Sequence, residues 1–509
     1  MTAPSLLVRG RYVITDADAP AIDDGAVLIE GERVMATGRF DDLAARAPEA
    51  RRLGSPAHIV IPGLINSHSH GRGVTAFQLG VLDDQLELWI LDRRAQRPVS
   101  AYWDALLSSV NLLESGVTSV LHNQVTRNPA AYEAELEQTF AAFQLSGHRV
   151  AFAPEIRWQK NFIYEPDADF AAMLPPPLRA EFEKYLGGID PVRPERYHAA
   201  YDAFSRKVGS IGARHRVLYG PISLQWSGDD EIRAIGRRAL DEGTGIHIHV
   251  QESPYQKEWG PRAYKQSVVA RLHALGALGP RTTLGHAVWL SDSDLDLMAR
   301  VGASYSHNPS SNLRLKSGIS PVVRARDRGV NVGLGTDSMT INDDDDFIQE
   351  MRLAAKLQRP PGMFEPDLTS RDVLRMATAN ARKVVLFDDV GALHPSSLAD
   401  LVVLRLDGML DPLQEPGFDP VDLLLYRGRR EHVDAVVVGG EVLIENGQLK
   451  RVKKDRILDE LRADAERNSQ LPYREARRLM QAIRPYVRQY YDTWFRQRGE
   501  PHYYYNSRG

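Results

Sequence analysis

The sequence predicts an α/β fold: a (β/α)8 TIM-like barrel inserted in a small discontinuous β-sandwich domain. From Ile59 to Val385, short apolar strand candidates alternate with stretches of helical period, the pattern of βα units and a parallel sheet. Strand-like runs without intervening helices stand on both sides of that region. Polar residues recur where the apolar runs end, which suits a barrel whose chemistry sits at the C-terminal strand ends. The expected organisation is residues 1–60 and 386–451 as the small β domain, 61–385 as the barrel, and 452–509 as a helical, aromatic-rich C-terminal extension.

In chain order, residues 6–8, 12–14, 26–30 and 33–36 read as short strands, with Gly31-Glu32 as a hairpin turn. The eight barrel-strand candidates are Val60-Ile61 and residues 118–121, 150–153, 217–219, 245–250, 282–284, 303–306 and 331–334. Residues 101–115 and 370–385 read as helices, and residues 399–404 and 435–444 return to strand patterning and are expected to pair with the N-terminal strands. A chain of 509 residues with 43% hydrophobic and 26% charged residues is an ordinary globular protein. A net charge of -4 argues against nucleic acid as a partner, which needs a concentrated positive surface. The first residues lack a basic, then apolar, leader and no run reaches membrane-spanning length, so the expectation is a cytoplasmic protein with a small-molecule substrate and no membrane partner. With Cys at 0, any metal must be held by histidine and carboxylate.

Residues 59–70 run from an apolar segment through the Pro62-Gly63 break to His68 and His70. Side chains two apart on a strand share a face, so these imidazoles can meet one ion. Read alone, the pair suits a backbone-satisfied core cap equally well. The later strand ends decide for metal: His249 with Glu252 just beyond, His286 after residues 282–285, and Asp337 after residues 333–336. Imidazoles and a carboxylate converging on one rim make a mononuclear site with room for water.

On these residues the chain resembles the amidohydrolase superfamily, in the branch of cytosine deaminase, adenosylhomocysteine-type deaminases and triazine chlorohydrolases. The resemblance covers residues 62–70, Asp83-Asp84 to Trp89, 249–253, Gly285-His286, 307–313 on to Pro321, 335–338, 376–381 and 399–403. It implies that His68, His70, His249 and Asp337 bind one divalent metal, zinc first, with iron, cobalt, nickel and manganese as other candidates. It also implies that Glu252 shuttles protons, that Asp337 touches both metal and nucleophile, and that His286 orients the water or polarises the bond under attack. Two-metal members carry a lysine at the fourth strand end; residues 217–223 contain none, which supports one ion.

The implied reaction is hydrolytic C–N cleavage: deamination of a small nitrogen heterocycle, with amide, urea or carbamate hydrolysis as the rival and a non-catalytic binding protein as the remote third. Purine-type deaminases of the branch usually place a substrate-contacting histidine at the fourth strand end, where this chain has Gly220-Pro221-Ile222; Ser223 or Gln225 could substitute as hydrogen-bonding groups. Glu87 and Trp89 match a substrate-facing pair, against a reading as a solvated acid and a helix-packing ring. His122, Asn123 and Gln124 would face the pocket or form a buried, hydrogen-bonded structural trio, Arg157 could clamp an anionic or aromatic ligand or an outer-loop acid, and His307 would shape the pocket without ligating. His247 is expected in the core or behind the ligands. The 159–200 insertion, which includes Asn161, is read as a lid. Asp343 to Asp346 are read as charge at a helix N-terminus, and the aromatics Tyr490, Tyr491, Trp494, Phe495 and Tyr503 to Tyr505 as a homo-oligomer interface.

Overall fold

The structure, a computed structural model, describes residues 5–160, 162–468 and 473–494. Its centre is a ring of parallel strands: Leu64–Ser69, Val117–Gln124, Arg149–Ile156, His215–Val217 continued by Gly220–Pro221, Ile246–Val250, Thr282–His286, Ser304–His307 and Asn331–Leu334. Two hydrogen-bonded half-rings join through the parallel bridges Tyr219 to Ile246 and Ser69 to Asp337. Helices cover the outside, so the strands are buried on both faces.

Closure requires close approach. A Cβ on Gly333 would lie 2.2 Å from Ser67 Oγ, and one on Gly335 would lie 2.9 Å from His68 Cβ. Glycine at these positions lets the eighth strand reach the first.

The first barrel strand begins later than the sequence reading placed it. Val60 and Ile61 belong to Arg51–Pro62, which pairs with Ser5–Val13 and Leu401–Arg405 in the small sheet. Pro62-Gly63 is the switch between the two structures. A Cβ on Gly63 would sit 2.2 Å from Thr118 Oγ1, and its N–H donates to Asp400 O at 2.9 Å, after which Leu64 enters the barrel. The predicted helix over 370–385 is likewise two, Ser370–Met376 and Ala381–Val385; between them Thr378 Oγ1 donates to Leu374 O and Asn380 Nδ2 donates to Val332 O.

The small sheet has eight strands drawn from both ends of the chain. It curls until Arg33 bridges Leu398, enclosing a core that includes Val8, Val27, Val60, Leu401, Val403 and Val437. One buried ion pair ties it to the barrel: Arg149 Nε and Nη2 meet Asp400 Oδ2 and Oδ1 at 3.0 and 3.1 Å, and Gly439 N–H donates to the same carboxylate at 2.7 Å.

The described part of the C-terminal extension packs on its own chain. Helix Tyr473–Asp492 buries Leu479, Met480, Ile483, Val487, Tyr490 and Tyr491 against the main core, and Arg484 pairs with Asp84 and Asp92. Tyr490, Tyr491 and Trp494 therefore serve an intramolecular contact, because the apolar face of the helix already has a partner in the barrel. Phe495 and Tyr503 to Tyr505 lie outside the described residues, as does Asn161. Among the described residues no helix is long and apolar enough to cross a membrane.

Removing one partner of a buried pair strands the other charge, so Arg149→Met should lower unfolding stability by about 3–5 kcal/mol. Urea denaturation checks this, and Arg149→Met combined with Asp400→Leu should recover much of the loss; a single variant as stable as wild type would contradict the tie.

Candidate metal centre

Three histidines arrive with one ring nitrogen already committed. His70 Nδ1 donates to Asn123 O and His249 Nδ1 to Ile222 O, each at 2.8 Å, while His68 Nδ1 lies 2.8 Å from His247 Nε2. A carbonyl can only accept, so Nδ1 carries the proton in His70 and His249 and Nε2 presents a lone pair. These two Nε2 atoms face each other at 3.4 Å. Asp337 Oδ1 stands 3.0 Å from His70 Nε2 and 3.4 Å from His68 Nε2. Burial holds the His68 ring down to about 3 and pushes His249 well below its ordinary value, so both are neutral near neutrality.

Lone pairs set against a carboxylate repel unless a cation lies between them. His68 Nε2 and Asp337 Oδ1 are buried without a hydrogen-bond partner. Zinc–ligand bonds of about 2.0–2.1 Å at tetrahedral angles separate donor atoms by about 3.3 Å, and the measured 3.0 to 3.4 Å matches. The donor set therefore fits one divalent ion held by His68, His70, His249 and Asp337.

The surrounding residues aim these donors. Asn66 Oδ1 accepts from His68 N and Thr336 N, and its Nδ2 donates to Thr336 Oγ1, coupling the first strand to the eighth. Ser311 Oγ donates to Asp337 Oδ2 at 2.6 Å. His286 Nδ1 lies 2.9 Å from Asn312 Oδ1, and its Nε2 is 3.9 Å from Asp337 Oδ2. Glu252 Oε1 is 3.6 Å from His286 Nδ1; burial, then the charges of Asp337 and Glu87, push its carboxyl well above the ordinary range. Gln251, His286 and Asp337 adopt left-handed backbone at φ 48, 66 and 58°. Such strain, about 1–3 kcal/mol each, is held only where the surroundings over-determine it.

These groups open onto a cleft of about 500 Å³ at the C-terminal strand ends. Of the sequence-predicted substrate residues, Trp89, Arg157 and Ser223 line it, and Arg157 stacks over Trp226 at 3.9 Å. Glu87, His122, Gln124, Gln225 and His307 do not line it. Glu87 is neither solvated nor cleft-facing: it accepts from Tyr164 Oη at 2.7 Å and from Ser253, and burial pushes it up to about 7. His122 packs on Phe143 and Phe152 and meets Gln124 Oε1 at 2.9 Å, the structural alternative. Gln225 and His307 are buried away from the opening. His247 backs His68 as expected. The insertion does wall the cleft, through Tyr185, Ile189 and Val192. In the acidic run only Asp346 caps the following helix, accepting from Gln349 N; Asp345 is buried beside Asn111.

Sequence reasoning missed Asn66, Ser311, Asn312 and Glu350. Glu350 accepts from Ser310 N at 2.8 Å and from Ser310 Oγ, anchoring the turn that carries Ser311 and Asn312. Its only sequence signal is an acid on the apolar face of helix Phe347–Leu357. Glu155, Arg72, Arg93 and Arg127 also line the cleft and were not singled out.

Burial pushes the Glu350 carboxyl from 4.5 to about 8. Below pH 4.5 it is neutral folded and unfolded; between 4.5 and 8 the unfolded chain releases a proton that the folded chain keeps, so this group makes stability fall as pH rises across that window. Glu350→Gln should flatten that part of the dependence in denaturation midpoints measured from pH 5 to 8, and an unchanged slope would refute the assignment.

The chain is similar to known proteins over most of its length. Residues 59–443 match the amidohydrolase family, and residues 25–50 match an imidazolonepropionase-like composite domain of bacteria. The chain is 30% identical over 408 residues to a 5′-deoxyadenosine deaminase of Methanopyrus kandleri, covering 79% of this chain and 84% of that protein. It is 29% identical to a 5-methylthioadenosine/S-adenosylhomocysteine deaminase of Syntrophobacter fumaroxidans, covering 90% and 97%. Among solved structures, a zinc-bound adenosine deaminase from Xanthomonas campestris superposes with a TM-score of 0.76 at 21% identity, covering 92% of this chain and 100% of that one, a likeness of fold. A variant of atrazine chlorohydrolase from Arthrobacter aurescens, complexed with zinc and atraton, gives 0.75 at 25%, covering 90% and 99%. The chain belongs to the amidohydrolase family.

Proposed function

We propose that the cleft hydrolytically deaminates a small nitrogen heterocycle, with one divalent ion, zinc first, held by His68, His70, His249 and Asp337. The chain is a hydrolase of carbon–nitrogen bonds other than peptide bonds. The observation that carries the reading is the convergence of histidine lone pairs and Asp337 beside a buried carboxyl, Glu252, at the floor of a cleft. When bound, the ion would make water nucleophilic near neutral pH.

The side chains supply the remainder. Asp337, whose Oδ2 is fixed by Ser311, would take a proton from the attacking water. A neutral His286 that donates from Nδ1 to Asn312 offers Nε2 as an acceptor, which orients a water hydrogen and points its oxygen at the substrate carbon. Of the two roles considered from sequence, this one suits a ring whose pKa burial lowers. Addition to the ring carbon gives a tetrahedral intermediate. Glu252, kept protonated by burial, donates to the ring nitrogen as the carbon is attacked, recovers a proton from the added hydroxyl, delivers it to the departing amine, and is reprotonated by the proton that Asp337 took from the attacking water. Ammonia leaves as the carbonyl forms. Trp89 and Trp226 line the cleft with flat apolar surface suited to a heterocycle.

Ammonia release from the zinc-loaded protein across amino-purines, amino-pyrimidines and amino-triazines, run beside anilides, ureas and carbamates, tests this reading. Turnover confined to the second group would replace deamination with amide-type hydrolysis. Elemental analysis should find one ion per chain, and His70→Ala should lose it. Glu252→Gln should keep the ion and lose about 10²–10⁴-fold in kcat, the usual span of acid–base catalysis; full activity would remove Glu252 from the mechanism.

A further inference from the structure

Glu252 sits in a loop pinned at two points. On one side Gln251, in left-handed backbone at φ 48°, donates from Nε2 to Trp289 O at 2.8 Å, and its carbonyl accepts from Trp289 N at 3.1 Å. On the other side Glu252 N donates to Gln256 Oε1 at 2.9 Å, and Ser253 Oγ accepts from Gln256 N at 3.2 Å. The second pin depends on which way the Gln256 amide faces, because only its oxygen can accept.

That choice is made from outside the ring of strands. Gln256 Nε2 donates to Tyr164 Oη at 3.3 Å, and Tyr164 Oη donates to Glu87 Oε1 at 2.7 Å. Glu87 also accepts from Ser253 and Gln85, so its carboxylate ties the loop of Glu252 to helix Leu86–Arg93. With its proton committed to Glu87, the Tyr164 oxygen is an acceptor for Gln256, which leaves the amide oxygen facing Glu252 N. Tyr164 is buried and does not line the cleft, so it reaches the reacting centre only through these neighbours.

Tyr164 belongs to the 159–200 insertion, and the C-terminal extension holds it. Tyr491 Oη accepts from Tyr164 N at 3.3 Å. The Tyr491 ring packs on Tyr164 at 5.6 Å between centroids and on Tyr255, the neighbour of Gln256, at 5.0 Å. Arg484 fixes the same helix to Asp84 and Asp92, which flank Glu87 in the chain. Buried hydrogen bonds of this kind are strengthened by the low local dielectric and costly to break.

We propose that Tyr164 is a positioning residue for the proton shuttle: through Gln256 and Ser253 it sets where Glu252 stands, and the extension, through Tyr491, sets where Tyr164 stands. The extension is then a working part of the active site, although Tyr491 does not line the cleft. This rests on the reading of Glu252 as the proton shuttle.

Tyr164→Phe removes the phenol oxygen and keeps the ring. Crystal structures of the zinc-loaded variant and of the unaltered protein should show the Glu252 carboxyl displaced from its place 3.6 Å from His286 Nδ1, with His68, His70, His249 and Asp337 unmoved. That comparison needs no substrate and stands if the deaminase reading fails. In turnover, kcat should fall about tenfold or more at unchanged KM and zinc content, the scale on which a misplaced catalytic group is felt. The loss should vanish in a Glu252→Gln background, where there is no shuttle left to position, whereas a merely structural defect would lower both backgrounds by the same factor. Tyr491→Phe, which removes the acceptor of Tyr164 N and keeps the packing, should reproduce part of the loss. An unmoved Glu252 in the Tyr164→Phe crystal, or an equal factor in both backgrounds, would overturn the proposal. Full activity of Glu252→Gln removes the shuttle reading and the positioning with it; an impaired Glu252→Gln beside a fully active Tyr164→Phe removes the positioning alone. Should Tyr164→Phe fail to fold, Tyr491→Phe is carried through the same measurements and decides.

Discussion

Two backbone hydrogen bonds between the first and eighth barrel strands organise the rest of the molecule. Asp337 N donates to His68 O at 2.9 Å and His70 N donates to Asp337 O at 3.1 Å. The contact that shuts the ring thus also sets three ligands side by side. Closure brings uncompensated lone pairs against a buried carboxylate, an arrangement that a cation between them would relieve.

Outward from this point, each ligand is aimed by a residue on a different element. Carbonyls at the ends of the second and fourth strands hold His70 and His249, and His247 on the fifth holds His68. The turn after the seventh strand presents Ser311 to Asp337 and Asn312 to His286, and Glu350 on a later helix holds that turn. Left-handed backbone at His286 and Asp337 is the geometric price of pointing both side chains inward from the ends of short strands.

What was legible in the sequence follows from how local each signal is. His68 and His70 share a strand face by period two, and His249, His286 and Asp337 each end an apolar run, so the convergence of these five residues could be read without coordinates. The orienting roles of Asn66, Asn312 and Glu350 could not, since these residues act across separations of 26 to 270 residues. Glu87 shows the converse failure: an acid near Trp89 suggested a cleft-facing pair, but residues two apart on a helix diverge and of the two only Trp89 reaches the opening. Val60 and Ile61 were assigned to the wrong sheet because an apolar strand has the same composition in either. The extension had a usable signal in Leu479, Met480, Ile483 and Val487, spaced as one helical face. That spacing says a face must be buried; it does not say whether the partner is the same chain.

The packed extension changes how the cleft is built. Tyr164 N donates to Tyr491 Oη at 3.3 Å, and Tyr164 Oη in turn donates to Glu87, which also receives Ser253 just beyond Glu252. Tyr473, at the start of the same helix, lines the cleft beside the insertion. One wall of the cleft is thus assembled from segments outside the ring. A shift in the extension would reshape that wall while leaving the approach of His68, His70 and Asp337 set by the strand pairing that closes the barrel.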